Sequence, residues 1–131
     1  MGEGYVVRSQ PADISAALFG DGREVVLAAL VAELAGEVVG VVLYYTGYDT
    51  LSASVGYHLA DIVVAQKQRR SGIGKMLMQA LAERALTDKK EWVSLTVLKH
   101  NETAREFYAA LGMTKVDVDF FAAGKQALAQ L

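Results

Sequence analysis

Cysteine is absent from this chain of 131 residues, and proline occurs only once. Without thiols the chain can form no disulfide, no thiolate metal site and no cysteine nucleophile, and we predict no metal cofactor. No apolar run approaches the roughly 18–20 residues that a membrane-spanning helix needs. Residues 1–8 also lack the basic start and apolar centre of a secretory signal. We therefore expect a cytoplasmic protein that does not bind membranes.

Neither sign of charge is in large excess, because 13 Lys and Arg residues stand against 15 Asp and Glu residues, for a formal net charge of −2. Such a balance gives no overall attraction to nucleic acid or to an anionic membrane, so we predict neither as a partner. Hydrophobic residues make up 53%, which is enough for a packed interior and argues against disorder. The length fits one domain, and we predict a single domain over residues 1–131.

Apolar patterning and turn signals divide the chain into short elements. Ser9 followed by Pro11 is typical of a helix start, and the spacing of Ile14 and Leu18 predicts a short helix that ends near 20–22. The turn signal of Ala35-Gly36-Glu37 joins two apolar runs into a predicted hairpin. The predicted strands cover residues 5–8, 24–32, 38–45, 55–64, 92–98 and 114–121.

The second half of the chain combines strands with helices. An amphipathic helix is predicted to begin near Gly72, a second helix to begin after Asn101 as its N-cap, and a short helix or tail to cover 124–131. Residues 47–54 are predicted to form a loop. The order of strand, helix and strand between 55 and 98 predicts a βαβ unit that follows an antiparallel meander.

A basic segment with two glycines follows the predicted strand 55–64. Gly72 and Gly74 allow the backbone to approach a ligand closely, and the first turn of the next helix exposes N–H groups that have no acceptor inside the helix. The helix dipole and the side chains of Arg69, Arg70 and Lys75 add positive charge. These features suit a pyrophosphate, although basic residues also occur around glycines in ordinary solvated loops.

Two common nucleotide-binding motifs do not fit this segment. The Rossmann motif needs a third glycine where Leu77 stands, and the Walker motif needs a hydroxyl residue where Met76 stands. The segment 69–74 instead reads Arg-Arg-Ser-Gly-Ile-Gly, directly after an apolar strand. This Arg-x-x-Gly-x-Gly pattern resembles the coenzyme A signature of the GNAT family of N-acetyltransferases. The segment 107–113, Phe-Tyr-Ala-Ala-Leu-Gly-Met, looks like that family's Phe-Tyr-x-x-Leu-Gly-Phe/Met.

A finer resemblance is to the diamine and thialysine acetyltransferases, and it covers residues 18–113 and weakly 124–131. Two departures stand out. The region before Leu18 is short, as though most of the two helices that wall the acceptor site in that branch were missing, and Ala60 stands where the branch usually has glutamate. The segment after Met113 is also short for a closing hairpin and helix, so we predict an unpaired sheet edge and a homodimer.

The resemblance implies an α/β (α+β) fold of the GNAT type, with a mixed, mostly antiparallel central sheet, a βαβ unit that binds acetyl-coenzyme A, and flanking helices. It implies transfer of acetyl from acetyl-coenzyme A, the co-substrate, to a primary amine by direct attack through a tetrahedral intermediate. A small-molecule polyamine or lysine-like amine is the acceptor that the branch suggests. A protein or peptide acetyltransferase, and a coenzyme A-binding sensor without catalysis, remain alternatives.

The same resemblance implies the site residues. Tyr108 would protonate the departing thiolate, although an aromatic pair on a helix is by itself typical of a core. Those implied to contact the co-substrate are Ile62, Val63, Val64, Arg69, Arg70, Ser71, Gly72, Ile73, Gly74, Lys75, Asn101, Phe107 and Tyr108.

A base must also deprotonate the amine, because a lysine-like amine has a pKa of about 10.4. Regular alternation predicts that His58, Ala60, Ile62 and Val64 share one face of their strand. With Ala60 in place of glutamate, His58 is our hypothesis for the base, since its ordinary pKa of about 6.5 suits the task. The alternative is a histidine that only packs near the sheet edge. Asp61 would point to the opposite face unless a bulge intervenes.

Overall fold

The computed structural model describes residues 10–20 and 26–131. The chain forms two compact units, Met1–His100 and Asn101–Leu131. The predicted strand 5–8, the predicted cap at Ser9, residues 21–22 of the predicted turn and the start of the predicted strand 24–32 lie outside the described residues. That the whole chain is a single domain stays a prediction.

The α-helices and strands of the first unit are α1 (Pro11–Phe19), β1 (Ala28–Leu34), β2 (Glu37–Asp49), β3 (Ser54–Val64), α2 (Ile73–Thr87) and β4 (Val93–Ser94). The four strands form one sheet in the order β1-β2-β3-β4. β1 pairs with β2 and β2 pairs with β3 in antiparallel fashion, whereas β4 lies parallel to β3. The helix α2 connects these two parallel strands, so the predicted βαβ unit and the predicted mixed α/β fold are confirmed.

The hairpin between β1 and β2 turns through two residues. Ala35 and Gly36 have φ angles of 53° and 83°, which is the left-handed geometry that two-residue hairpin turns require at both positions. The predicted loop at 47–54 is confirmed only for residues 50–53, because Gly47 to Asp49 continue β2 and Ser54 already begins β3. Gly47 and Gly56 are paired in this extension and leave room for the ring of Trp92. Apolar patterning does not reveal this contact.

α2 packs its apolar side against the sheet. Its buried residues are Leu77, Met78, Leu81 and Ala85, and Leu81 has no exposed surface at all. Full burial of such a side chain stabilises the fold by about 1.5–3 kcal/mol. A Cβ atom on Gly40 would lie 3.0 Å from both Ile73 Cγ2 and Leu77 Cδ1. The absence of a side chain at Gly40 therefore allows the start of α2 to approach β2 closely.

The second unit contains the helices α3 (Glu102–Ala110) and α4 (Lys125–Leu128). The predicted cap is confirmed, since Asn101 Oδ1 accepts a hydrogen bond from the Ala104 N–H at 3.1 Å. The predicted strand 114–121 is wrong, because these residues belong to no helix or strand. The predicted strand 92–98 is wrong beyond its two-residue core in β4. Within residues 10–20 and 26–131, no helix is long and apolar enough to cross a membrane.

Candidate active site

The parallel strands β3 and β4 stay together for only two residue pairs. Tyr57 pairs with Val93 and His58 pairs with Ser94, after which β4 ends while β3 continues to Val64. Within the described chain, the β4-facing edge of 59–64 therefore has no strand partner. Such an edge can bind an extended ligand through backbone hydrogen bonds, as it would bind an added strand.

Three of the predicted contact residues, Ile62, Val63 and Val64, lie in this part of β3. The backbone groups of successive residues point to opposite edges of a strand, and the Ala65 N–H donates to the Val39 carbonyl of β2. The backbone groups of Val63 therefore also face β2, and those of Ile62 and Val64 face the open edge. The Ile62 N–H already donates a hydrogen bond to the Asp61 carboxylate, with 2.8 Å between Ile62 N and Asp61 Oδ1. This local bond must open before the Ile62 N–H can bind a ligand. Val63 is half exposed, at 49% of its surface.

A β-bulge at Ala60 interrupts the alternation of β3. Leu43 of β2 pairs with Asp61 and the next residue, Tyr44, pairs with Leu59, so Ala60 is the extra residue between them. One extra residue moves all side chains on one side of it to the other face of the sheet. The predicted common face of His58, Ala60, Ile62 and Val64 is therefore wrong.

Strand pairing assigns these side chains to the two faces, because directly opposite residues of antiparallel strands share a face. Val64 pairs with Gly40, where a Cβ atom would contact α2, so Val64 lies on the face that packs against α2. Ile62 pairs with Val42, two residues from Gly40 along β2, and so lies on the same face. His58 pairs with Tyr45 and thus lies on the face away from α2.

The bulge also places Asp61 on the face that carries His58. Asp61 pairs with Leu43, which lies two residues from Tyr45 along β2, so the side chains of Asp61 and His58 are both directed away from α2. Asp61 is exposed. The sequence signal that could have found this carboxylate is weak, because a period-two pattern contains no marker for an inserted residue.

His58 is half-buried between neighbours on two strands. Its Nδ1 atom lies 2.9 Å from Ser94 Oγ, and its ring centroid lies 5.1 Å from that of Tyr45. Burial lowers the pKa of His58 below its ordinary value, because removal of water disfavours the charged ring. A histidine that is neutral near pH 7 can accept a proton from an amine. The sequence gives no sign of the contact between Ser94 and His58, because it depends on the pairing of β3 with β4.

The basic segment after β3 forms a tight turn into α2. A 3₁₀ turn covers Gln66–Gln68, and the Ser71 hydroxyl donates a hydrogen bond to the Gln68 carbonyl. Arg70 and Gly72 have φ angles of 66° and 87°, both in the left-handed region. Gly72 is the N-cap of α2, so the helix begins where the sequence predicts and no side chain caps it.

This turn fits an anionic group such as a diphosphate. The first N–H groups of α2, at Ile73, Gly74 and Lys75, have no acceptor inside the helix, and the helix dipole favours a negative charge beside them. A Cβ atom on Gly72 would meet no atom within 4 Å, so the space beside it is open. The side chains of Arg69, Arg70 and Lys75 are exposed, and Arg69 Nε donates to the Val64 carbonyl at 3.4 Å.

The remaining predicted site residues lie in the second unit. The side chain of Asn101 caps α3, and the rings of Phe107 and Tyr108 on that helix meet edge to face, with centroids 5.1 Å apart. Both rings are partly exposed rather than fully buried. The contacts that the resemblance implies between these residues and the co-substrate stay predictions.

Comparisons with known proteins agree with this architecture. The model of the acetyltransferase (GNAT) family matches residues 5–113. An L-ornithine N5-acetyltransferase of Arabidopsis thaliana is 33% identical over 78 residues, which are 57% of this chain and 33% of that protein. A thialysine N-epsilon-acetyltransferase of Bos taurus is 39% identical over 75 residues, which are 57% of this chain and 44% of that protein. The chain thus matches less than half the length of either relative.

A ribosomal-protein-alanine N-acetyltransferase of Brucella melitensis superposes with a TM-score of 0.71 at 24% identity, over 88% of this chain and 81% of that structure. This likeness supports the fold alone. The family match extends from residue 5 to residue 113 and so includes the open edge of β3, the uncapped start of α2 and all of α3. The chain therefore belongs to the acetyltransferase (GNAT) family.

Proposed function

We propose that this protein is an N-acetyltransferase that moves acetyl from acetyl-coenzyme A to the primary amine of a small molecule, either a polyamine or a lysine-like amine. One observation carries the proposal: the open edge of β3 leads, through the basic segment 65–72, into the uncapped N-terminus of α2. Coenzyme A requires two features, a strand edge that binds its extended arm and a set of N–H donors that binds its diphosphate. We call the second feature, formed here by residues 70–75, the cradle. The two relatives named for ornithine and thialysine support an amine acceptor.

The residues of the cradle fit this co-substrate. Main-chain N–H groups from Arg70 to Lys75 would hold its diphosphate. Those of Ile73, Gly74 and Lys75 have no acceptor inside the helix, whereas the Ser71 N–H would first leave the Gln68 carbonyl, which lies 3.3 Å away. The edge of β3 at Ile62 and Val64 would bind its extended arm, once the Ile62 N–H has left the Asp61 carboxylate. When bound, acetyl-coenzyme A supplies the activated acetyl thioester that the amine attacks.

Removal of a proton from the amine is the first task of the protein's own residues. A lysine-like amine has a pKa of about 10.4, so only about one molecule in a thousand is neutral near pH 7. We assign His58 as the base, supported by its depressed pKa and its partly exposed ring. The carboxylate of Asp61 lies on the same face and would attract the cationic form of the acceptor. Ala60, which stands where the diamine and thialysine acetyltransferases usually have glutamate, has no carboxylate that could act as the base.

A proton must also reach the departing thiolate. We assign this role to Tyr108, which belongs to the Phe-Tyr segment that resembles the family pattern. Tyr108 is partly exposed and so is not a fully buried core residue. Asn101 and Phe107 of the same helix would contact the co-substrate.

We further propose that the protein is a homodimer. The segment 114–121 alternates apolar and charged residues as a strand does, yet it pairs with no strand among residues 10–20 and 26–131. Val116, Val118 and Phe120 are at least 70% exposed, which favours an additional partner for this segment. A sedimentation experiment that finds only monomer would contradict the dimer.

Two measurements test the proposed function. Calorimetry should detect binding of acetyl-coenzyme A and of coenzyme A, and a thiol-release assay should detect turnover with diamines and lysine-like amines. The absence of binding would overturn the assignment. Binding without thiol release for any amine would favour the sensor alternative, and release with peptides alone would favour a peptide acetyltransferase.

A further inference from the structure

Ser94 contacts the imidazole of His58 at the last residue pair before β3 and β4 separate. The two residues are partners in the parallel register, and Ser94 Oγ lies 2.9 Å from His58 Nδ1. Both side chains are half-buried. The hydrogen bond is therefore supported by the strand pairing that ends at this residue pair, and it is shielded from much of the competing water.

The other neighbours of His58 leave its second ring nitrogen available. Tyr45 on β2 packs its ring against the imidazole, and Asp61 lies on the same face of β3 beyond the bulge. These are the titratable groups that face His58 from the strands beside it, and β4 contributes only Ser94. Within the described chain, Nε2 of His58 has no hydrogen-bond partner.

We propose that Ser94 is a positioning residue that accepts a hydrogen bond from the Nδ1–H of His58 and thereby holds the tautomer in which Nε2 is unprotonated. This inference rests on the proposed function, in which His58 is the base. The amine nitrogen loses a proton as it attacks, Nε2 gains that proton, and the resulting imidazolium keeps its bond from Nδ1–H to Ser94 Oγ. Solvent then receives the proton from Nε2, which restores the neutral ring.

The direction of the hydrogen bond has a measurable consequence. If Ser94 Oγ accepts from Nδ1–H, it favours the charged ring, so its removal lowers the pKa of His58. If the Ser94 hydroxyl donates to Nδ1, it favours only the neutral ring, so its removal raises that pKa. The reversed bond would also leave Nε2 protonated in the neutral ring and unable to act as the base.

The experiment is nitrogen NMR of the full-length protein labelled at histidine, with His58→Gln used to assign the signals of His58 and His100. We expect the Nδ1–H tautomer of His58 in the parent protein. Ser94→Ala should shift the population toward Nε2–H and lower the pKa of His58, whereas Ser94→Thr should retain the parent tautomer. The acidic limb of the pH–rate profile should move to lower pH in Ser94→Ala, and the plateau rate should fall about tenfold.

Several results would overturn the inference. An Nε2–H tautomer in the parent protein, or an unchanged or raised pKa of His58 in Ser94→Ala, would show that Ser94 does not accept this bond. A slower Ser94→Ala enzyme with an unmoved acidic limb would indicate a structural role only. The tautomer is measured without turnover, so a protein that holds Nδ1–H yet acetylates no amine would contradict the proposed function and not the Ser94–His58 bond.

Discussion

The indole of Trp92 occupies the space in which a side chain on Gly56 would stand. A Cβ atom on Gly56 would lie 2.0 Å from Trp92 Cδ2, closer than any real contact. Two further bonds hold this tryptophan, one from its Nε1 to Ser54 Oγ at 2.9 Å and one from the Tyr57 N–H to its carbonyl at 3.0 Å. Because Trp92 immediately precedes β4, its fit against β3 fixes where Ser94 meets His58.

Gly56→Ala should destabilise the protein by about 1–3 kcal/mol or more, since the added methyl group forces either the indole or the strand to move. Gly47→Ala is the graded control. Its Cβ would lie 3.0 Å from Trp92 Cη2 and would require a smaller adjustment. Urea denaturation of both variants measures the two costs, and an equal loss of stability in both would contradict the specific fit at Gly56.

The start of α2 offers a second matched pair of glycines. Gly72 and Gly36 have φ angles of 87° and 83°, and at neither position would a Cβ atom meet another atom within 4 Å. Substitution by alanine at either position should therefore cost similar backbone strain, about 1–2 kcal/mol. Only Gly72→Ala should also weaken acetyl-coenzyme A binding, by about tenfold or 1.4 kcal/mol, because it alters the proposed diphosphate cradle.

Calorimetry on both alanine variants tests this difference. Equal affinities in Gly72→Ala and Gly36→Ala would remove the turn before α2 from the binding site. A loss of affinity confined to Gly72→Ala would separate a local effect from a general loss of stability.

The features that sequence analysis predicted correctly depend on a few adjacent residues. Asn101 caps α3, Gly72 begins α2, and the turn at Ala35 and Gly36 joins β1 to β2. Asparagine favours the cap, and glycine favours the left-handed geometry found at Gly72 and Gly36, in each case without help from distant parts of the chain. The starts of α2 and α3 and the turn between β1 and β2 can therefore be placed from the sequence.

The features that sequence analysis missed depend on pairing between strands. Alanine has no special backbone preference that would mark Ala60 as a bulge, and the extra residue exists only relative to β2. The alternation of Val116, Val118 and Phe120 is typical of a strand, but a strand also needs a neighbour, which one segment cannot supply. The faces of β3, and with them the relation of Asp61 to His58, therefore required the structure.

Tyr108→Phe should lower turnover by about 100-fold and leave acetyl-coenzyme A binding nearly unchanged, because it removes a proton donor and keeps the ring. Tyr48→Phe is the matched control, at a tyrosine of β2 that is 63% exposed. Thiol-release rates and calorimetric affinities are the measurements. Unchanged turnover in Tyr108→Phe would remove Tyr108 from the mechanism.

Asp61→Asn should raise the KM for a diamine by up to about fivefold, in line with about 0.2–1 kcal/mol for an exposed ion pair. Asparagine keeps an oxygen that can accept from the Ile62 N–H, so the change removes charge while preserving this local bond. The KM for an amine with a single positive charge should rise less, and added salt should reduce the difference. An identical KM for the diamine in both proteins would exclude Asp61 from acceptor recognition.

Burial of His58 should make stability depend on pH in a defined direction. Because burial lowers its pKa in the folded state, the unfolded chain takes up a proton more readily. The stabilisation due to neutral His58 is therefore fully present above the unfolded pKa of about 6.5 and is lost as the pH falls through the lower folded value.

His58→Gln removes this pH dependence, so the difference in unfolding free energy between parent and variant should shrink as the medium becomes acidic. Urea denaturation above and below about pH 6.5 measures it, with His100→Gln at an exposed position as the control. A difference that stays constant, or grows, on acidification would mean that the imidazole of His58 is not held in its neutral form.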